Sequence, residues 1–258
     1  MTKWTNIAIA RFRDYEDKLP NPSLDRMHSW SECYEFFRDN LSKLATPGLD
    51  LSSPLLEEAT LRLAAYLASF GMYVRNARLL QCSKNVLKFP LLEIFHEIGR
   101  HRCDWFKDDP SRYAEDIAEN PKALVAIAEI FSKKTDDAFQ KAGAGTQASL
   151  STLRSKVLLG VFAATPGFDR KVKESLKCWK ATNISLLNAV GEGIAESSFE
   201  AWIELGKKLE QIPAFHELEV KTSSVRPCPT MRKLDLLLWA YSSEETTQSD
   251  KSPSKAQK

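Results

Sequence analysis

The sequence lacks the residue patterns that identify metal-binding and disulfide-bonded proteins. Its five cysteines are scattered with no close pair, at Cys33, Cys82, Cys103, Cys178 and Cys228. This fits neither a zinc-binding spacing nor a disulfide framework, and the odd number is typical of a reducing compartment. Among the four histidines, His96 and His101 are five residues apart, which does not place them on one face of a helix. We therefore expect no metal site and no cofactor.

Strong net charge and long hydrophobic runs are also absent. The chain has 36 lysines and arginines against 34 aspartates and glutamates, a formal net charge of +2. Overall charge therefore favours no partner, and any basic surface must be local. No run approaches the roughly twenty apolar residues of a membrane span, and the apolar patch at the N-terminus is too short for a signal sequence. We expect a cytoplasmic protein with no membrane partner.

Apolar residues recur at helical spacing along nearly the whole chain. Ser29 and Glu32 have the spacing of a capping box, and Ser53 followed by Pro54 predicts the start of the next helix. Later helix starts are predicted near Pro90, Asn120, Asp169 and Thr230. Only "HELEVKT", residues 216–222, alternates like a strand. The sequence therefore predicts an all-α, compact multi-helix globular fold.

The domain organisation is predicted from composition. The chain shows no internal repeat and no composition break that would divide it. We therefore expect one globular domain over residues 1–241. The remaining residues, 242–258, are polar and contain no apolar anchor, so we expect a disordered tail there.

One stretch, residues 141–180, carries features that packing alone does not require. Gly143 and Gly145 flank one alanine, and such a pair lets the backbone turn tightly and approach a ligand closely. The N-terminal amides of the helix that follows would point at an anion. That helix ends at a Pro-Gly turn, after which Asp169 has the favoured position of a helix N-cap.

The helix after Asp169 is predicted to carry a basic face. Its basic residues recur at steps of three, four and three, which places them on one side, at Arg170, Lys173, Lys177 and Lys180. We call these four residues the basic stripe. Such a stripe suits a phosphate backbone, whereas a solvated lysine face is the commoner origin of this pattern.

The order of glycine hairpin, helix, turn, aspartate and helix resembles the helix-hairpin-helix DNA glycosylases. "GAGTQA", residues 143–148, is similar to the hairpin with which that family grips a DNA phosphate. "PGFDRKV", residues 166–172, is similar to the segment that carries the family's aspartate. The resemblance covers about forty of the 258 residues. Two further segments, residues 66–80 and 229–239, resemble uncharacterised bacterial proteins.

The resemblance implies a role for each part of the stretch. Asp169 would be the catalytic carboxylate, and Gly143, Gly145, Thr146 and the basic stripe would contact DNA. Bifunctional members carry a lysine just after the hairpin, where this chain has Thr146 and Gln147. The likeness therefore implies a monofunctional enzyme that leaves an abasic site, in repair or in defence against foreign DNA. A departure from the family is Ala144, where a larger apolar residue is preferred.

The predicted chemistry is hydrolysis of an N-glycosidic bond. As the base departs, positive charge develops on the sugar, and a nearby carboxylate stabilises it or deprotonates the attacking water. The base must leave the stack and enter a pocket. Trp30, Tyr34 and Phe37 are aromatic enough to line one, although their helical spacing favours the core.

Two other interpretations stay open. Asp169 could be a helix cap alone, which contributes about 1 kcal/mol. The chain could also be a non-enzymatic helical module that binds a nucleic acid or a partner protein through its basic stripe. The protein partner in that case is unknown.

Several other polar residues are assigned no role in the reaction. Lys156, in an otherwise apolar stretch, either snorkels to solvent or pairs with Asp169. Asp235 is either the buried partner of an arginine or an exposed residue. The remaining group, which forms either a second anion site or a solvated helix face, is Arg75, Asn76 and Arg78.

Overall fold

The computed structural model describes residues 1–17, 26–73, 79, 82, 85–107, 109–141, 150–181, 185–220 and 226–243. Across these residues the chain forms α-helices joined by turns, with one short 3-10 helix at Pro110–Arg112 and no strand. The predicted all-α fold is confirmed. The helices are α1 (Thr2–Asp17), α2 (Arg26–Leu44), α3 (Pro54–Ser69), α4 (Asn85–Arg100), α5 (Arg102–Trp105), α6 (Tyr113–Ala118), α7 (Pro121–Lys141), α8 (Leu150–Phe162), α9 (Arg170–Lys180), α10 (Ser185–Ala189), α11 (Glu196–Glu210), α12 (Pro213–His216) and α13 (Thr230–Ser243).

Two helix starts follow the capping residues that the sequence indicated. The Ser53 hydroxyl accepts a hydrogen bond from the amide of Leu56 at 3.5 Å, and Pro54 is the first residue of α3. The Asn120 side chain accepts from the amide of Ala123 at 3.2 Å, ahead of α7. In both cases a side-chain oxygen satisfies an amide that has no partner within the helix.

Two other predicted helix starts are wrong. Because α2 begins at Arg26, Ser29 lies inside its first turn and is not a cap. Because α4 begins at Asn85, Pro90 lies inside that helix and not at its start. Val86 and Leu87, which precede Pro90, are buried in the same core as the rest of α4. The burial of this first turn extends the helix beyond the point that proline favours.

The predicted helix start near Thr230 is confirmed, because Thr230 is the first residue of α13. Thr230 is not the cap of this helix, since its hydroxyl donates to Oε1 of Glu210 at 2.6 Å. The alternating segment forms no strand where it is described. His216 ends α12, and the chain from Leu218 to Val220 has no regular structure.

The buried apolar side chains form two clusters. The first is built mainly from α2, α3, α4, α6, α7 and α8, and includes Phe37, Leu63 and Phe131. The second is built mainly from α1, α9, α11 and α13, and includes Phe12 and Trp179. Residues 163–169 connect α8, in the first cluster, to α9, in the second. Asp169, at the end of this connection, therefore lies where the two clusters meet.

Helix α11 contributes to both clusters. Phe199, in its first turn, belongs to the first cluster, whereas Trp202, Leu205 and Leu209 belong to the second. The helix contacts α7 on one side and α13 on another. It therefore joins the two packed regions along its length.

The last helix extends past the predicted end of the domain. Helix α13 continues through Ser243, two residues beyond the predicted domain end at residue 241, and Ser242 is buried. The rest of the predicted tail lies outside the described residues.

Among the helices that the structure describes, none combines the length and the apolar character needed to cross a bilayer.

Candidate functional site

Asp169 is the N-cap of α9, as the sequence predicted. Its backbone is extended, with φ of −78° and ψ of 178°, and Oδ1 accepts a hydrogen bond from the amide of Val172 at 3.0 Å. This contact satisfies one of the amides that the first turn of a helix leaves without a partner. The capping interpretation is confirmed, and the catalytic role stays a prediction.

The second oxygen of Asp169 is held by Lys156. Nζ of Lys156 lies 3.2 Å from Oδ2 of Asp169 and 4.0 Å from the centre of the Phe70 ring. The Lys156 side chain is only 2% exposed, whereas that of Asp169 is 27% exposed. Lys156 therefore pairs with Asp169 and does not snorkel to solvent, which was one of its two predicted positions.

A second ion pair lies behind the first. Nη1 of Arg232 is 2.6 Å from Oδ2 of Asp235, and both side chains are buried. Burial raises the pKa of the Asp235 carboxyl, although the charges of Arg232 and Lys156 oppose this shift. Asp235 is therefore the buried partner of an arginine. We call Lys156, Asp169, Arg232 and Asp235 together the charged junction.

The Pro-Gly turn passes between the two pairs. Oδ1 of Asp235 accepts a hydrogen bond from the Gly167 amide at 2.8 Å. A Cβ at Gly167 would lie 3.1 Å from Cγ of Lys156 and 3.2 Å from its Nζ, closer than side chains normally approach. The absence of a side chain at Gly167 therefore lets the turn run between Lys156 and Asp235.

Helix α8 holds the backbone on either side of Phe168. The Phe168 amide donates to the hydroxyl of Ser155 at 2.8 Å, and its carbonyl accepts from the hydroxyl of Thr152 at 2.9 Å. These bonds, the capping bond from the Val172 amide and the Lys156 ion pair together fix the position of the Asp169 carboxylate. A group positioned in this way needs little reorganisation when a charge develops beside it.

The basic stripe is partly neutralised by acidic neighbours. Nζ of Lys173 lies 2.9 Å from Glu192, and the exposed Arg170 pairs with Glu174 at 3.7 Å. Lys180 donates to the backbone carbonyl of Val190 at 2.6 Å. The position of Glu192 in the turn after α10 was not indicated by sequence spacing, because it lies far along the chain from α9. Lys177 is exposed.

The hairpin residues predicted to bind phosphate are Gly143, Gly145 and Thr146, and they lie outside the described residues. The same holds for Arg75, Asn76 and Arg78. Trp30 and Phe37 are buried in the first core, as their spacing favoured. Tyr34 is also buried there, but it lines open space as well.

Asp169 lines none of four cavities formed by the described residues. One cavity, of about 470 Å³, is enclosed by residues of α2, α6, α8, α11 and α13. We call it the Tyr34 cavity. Its apolar wall is Tyr34, Phe162, Ala163, Ala164, Ile203 and Met231, and its charged residues are Glu115, Glu119, Glu210 and Lys207.

No protein-family model, curated protein or solved structure matches this chain. Within the described part of the chain, no group of three or more His, Cys, Asp or Glu side chains is arranged to hold a metal ion. The sequence indicated Asp169 as a helix cap and raised ion pairing as one alternative for Lys156 and for Asp235. It did not indicate the cavity. The cavity is built from five helices that are distant in sequence, and no local motif marks it.

Proposed function

We propose that the protein is a DNA glycosylase-like enzyme that hydrolyses the N-glycosidic bond of an extruded base and leaves an abasic site. In this mechanism the bond between the sugar and the base breaks, and its electron pair leaves with the base. Water adds to the sugar carbon and loses a proton. The Asp169 carboxylate stabilises the cationic sugar and accepts that proton.

The observation that carries this proposal is the way in which Asp169 is held. A backbone amide binds one carboxylate oxygen and a buried ammonium binds the other, while the side chain keeps a 27% exposed surface. Each carboxylate oxygen can accept more than one hydrogen bond, so a water molecule can still bind. The side chain is therefore fixed in position and open on one side.

The position of Lys156 supports hydrolysis without strand cleavage by lysine chemistry. A lysine that attacks the sugar carbon must present a free amine to it. Lys156 is buried, and its Nζ is directed at Asp169. The segment after the hairpin lacks the lysine of bifunctional enzymes, with Thr146 and Gln147 in that place. Both observations favour the monofunctional course.

DNA would be held beside Asp169 by α9. The exposed side chains of Arg170 and Lys177 lie on the same helix that Asp169 caps. The N-terminus of α9 also carries the positive end of the helix dipole. Contacts of this kind bind phosphates without reading the base sequence.

The test separates folding from chemistry with a double variant. Asn caps helices as well as Asp does, but Asp169→Asn leaves the buried Lys156 charge without its partner. The double variant Lys156→Met, Asp169→Asn removes both charges and keeps the volume. We expect base release from modified and unmodified oligonucleotides, measured as alkali-sensitive abasic sites, to fall about 10²- to 10⁴-fold in both variants. DNA binding should persist.

Two controls define the result. Lys156→Met alone keeps the carboxylate but removes the ammonium that holds one of its oxygens, so base release should fall less than in the two Asp169 variants. Asp109→Asn changes another capping aspartate, whose side chain accepts from the Ser111 amide at 2.9 Å, and should have no effect. If Asp169→Asn releases base at the parent rate, Asp169 is not the catalyst.

A second candidate function is favoured by one observation. Both oxygens of Asp169 already serve the fold, and Asp169 lines none of the four cavities formed by the described residues. A non-enzymatic module would bind nucleic acid or a protein through the basic stripe. Reversing Lys173 and Lys177 to glutamate would then abolish binding, Asp169→Asn would not, and reversal of the exposed Lys208 on α11 would be neutral.

A further inference from the structure

We propose that the Tyr34 cavity is a binding site for a small organic cation, an amine with a flat apolar body. The cavity volume of about 470 Å³ is within the range of ligand pockets, roughly 300–1,000 Å³. The proposal does not depend on the glycosylase-like function, because Asp169 does not line this cavity.

The apolar wall sets the body of the ligand. Phe162, Ala163 and Ala164 form the end of α8 and the turn that follows it, while Ile203 and Met231 come from α11 and α13. Met231 has a flexible side chain that adapts to the shape of a bound group. Such a wall favours a flat, mostly apolar molecule over a highly hydrated one.

Tyr34 contributes an aromatic ring and a phenol to this wall. The residue is 2% exposed and lines the cavity. Burial, and then the neighbouring Glu115 carboxylate, raise the pKa of Tyr34 above its ordinary value. The phenol is therefore uncharged at neutral pH, and a phenol can both donate and accept a hydrogen bond.

Glu115 supplies a carboxylate to the cavity, and its side chain is 27% exposed. One of its oxygens, Oε1, lies 2.8 Å from Nη2 of Arg38. The other, Oε2, is buried and has no hydrogen-bond partner among the described residues. A buried acceptor without a partner costs stability, so a shift of this side chain that brings Oε2 to an N–H group of a ligand would be favourable.

The charged residues that line the cavity favour a positively charged ligand. Three glutamates line the cavity, Glu115, Glu119 and Glu210, against one lysine, Lys207. Glu210 is already engaged, since its oxygens contact the Thr230 hydroxyl at 2.6 Å and His216 at 3.1 Å. Repulsion by this set disfavours an anion, and a protonated amine at Glu115 is favoured.

The test compares three probes that share an indole ring. Tryptamine is cationic at pH 7, N-acetyltryptamine is neutral, and indole-3-propionate is anionic. We expect calorimetric titration of the full chain to show tryptamine bound at least about tenfold more tightly than either analogue, because only it makes a charged hydrogen bond. Glu115→Gln should reduce tryptamine affinity to that of the neutral analogue.

A second variant keeps the test decisive if Glu115→Gln does not fold. Ala118 lines the cavity and is only half-buried at the edge of the first core, so the larger side chain of Ala118→Leu can occupy the open space. It should abolish binding of all three probes. The matched control is Glu204→Gln, on α11 but outside the cavity lining, which should leave binding unchanged.

Three results would each overturn the proposal. The first is that tryptamine does not bind at millimolar concentration. The second is that the cationic, neutral and anionic probes bind equally well. The third is that tryptamine binding is unchanged in Ala118→Leu, which would place it elsewhere on the molecule.

Discussion

The charged junction and the Tyr34 cavity handle buried polar groups in opposite ways. In the junction, Lys156 faces Asp169 and Arg232 faces Asp235, so each charge has an opposite charge beside it. In the cavity, one buried oxygen of Glu115 has no partner among the described residues. A buried polar group without a partner calls for an explanation, and at Glu115 a bound ligand would provide one.

Packing is also tighter near the charged junction than beside the Tyr34 cavity. At the edge of the first core, near the junction, a Cβ on Gly160 would lie 2.5 Å from the Tyr66 ring. Beside the cavity, a Cβ on Gly206 would meet Cε of Met231 at 2.7 Å, which is the far end of a flexible side chain. The first contact cannot move without disturbing the core, and the second can.

The largest effect is expected at the charged junction. Asp235→Asn keeps the side-chain shape but leaves the buried Arg232 without its counterion. Breaking a buried pair in this way costs about 3–5 kcal/mol. Urea denaturation should show that loss in the free energy of unfolding. A matched change at the exposed pair, Asp39→Asn opposite Arg226, should cost far less. Equal losses at the two sites would remove the distinction between them.

An intermediate effect is expected from the two glycines. Gly160→Ala should lower the free energy of unfolding by about 2 kcal/mol, because the added methyl group meets the Tyr66 ring. Gly206→Ala should stay within about 1 kcal/mol of the parent, since Met231 can withdraw into the cavity and alanine favours the helix. A thermal melt of both variants measures this contrast. A larger loss at Gly206 would show that the cavity is as rigid as the core.

The smallest effect is expected at Glu192, at the edge of the basic stripe. Burial alone would raise its pKa, but hydrogen bonds from Ser151 and Lys173 outweigh burial and lower it. A lowered pKa means that this stabilisation is complete above the ordinary value of 4.5 and is lost as the pH falls through the folded-state value. Unfolding by urea should therefore distinguish Glu192→Gln from the parent at pH 7.

Urea unfolding of the same two proteins at acid pH provides the control. Once Glu192 is protonated, parent and variant should have the same free energy of unfolding. A gap that stays constant between pH 7 and pH 3 would contradict an electrostatic origin. It would assign the effect of the variant to packing instead.

Local patterns in the sequence predicted the helical fold and several of its details. Periodic apolar residues identified the helices, and Ser53, Asn120 and Asp169 were identified as caps because a cap depends on residues within one turn. The predictions at Ser29 and Pro90 both placed a helix start too late. In α4 the burial of Val86 and Leu87 extends the helix beyond the local signal, and α2 begins three residues ahead of Ser29.

The site was predicted only in part, because its contacts are not local. The sequence raised a pairing of Lys156 with Asp169, thirteen residues away, but left it open. It also did not indicate that Asp235 would bind the Gly167 amide, 68 residues away. The Tyr34 cavity depends on the packing of five helices, and each lining residue by itself has the pattern of an ordinary core or surface position.

Because α11 contributes side chains to both apolar clusters, it limits how the protein can be divided into fragments. Phe199 is anchored in one apolar cluster, and Trp202, one turn later, in the other. A truncation or a protease cut within this helix would strip aromatic side chains from both clusters at once. We therefore expect that neither half can be prepared as a separate folded fragment with its interior intact.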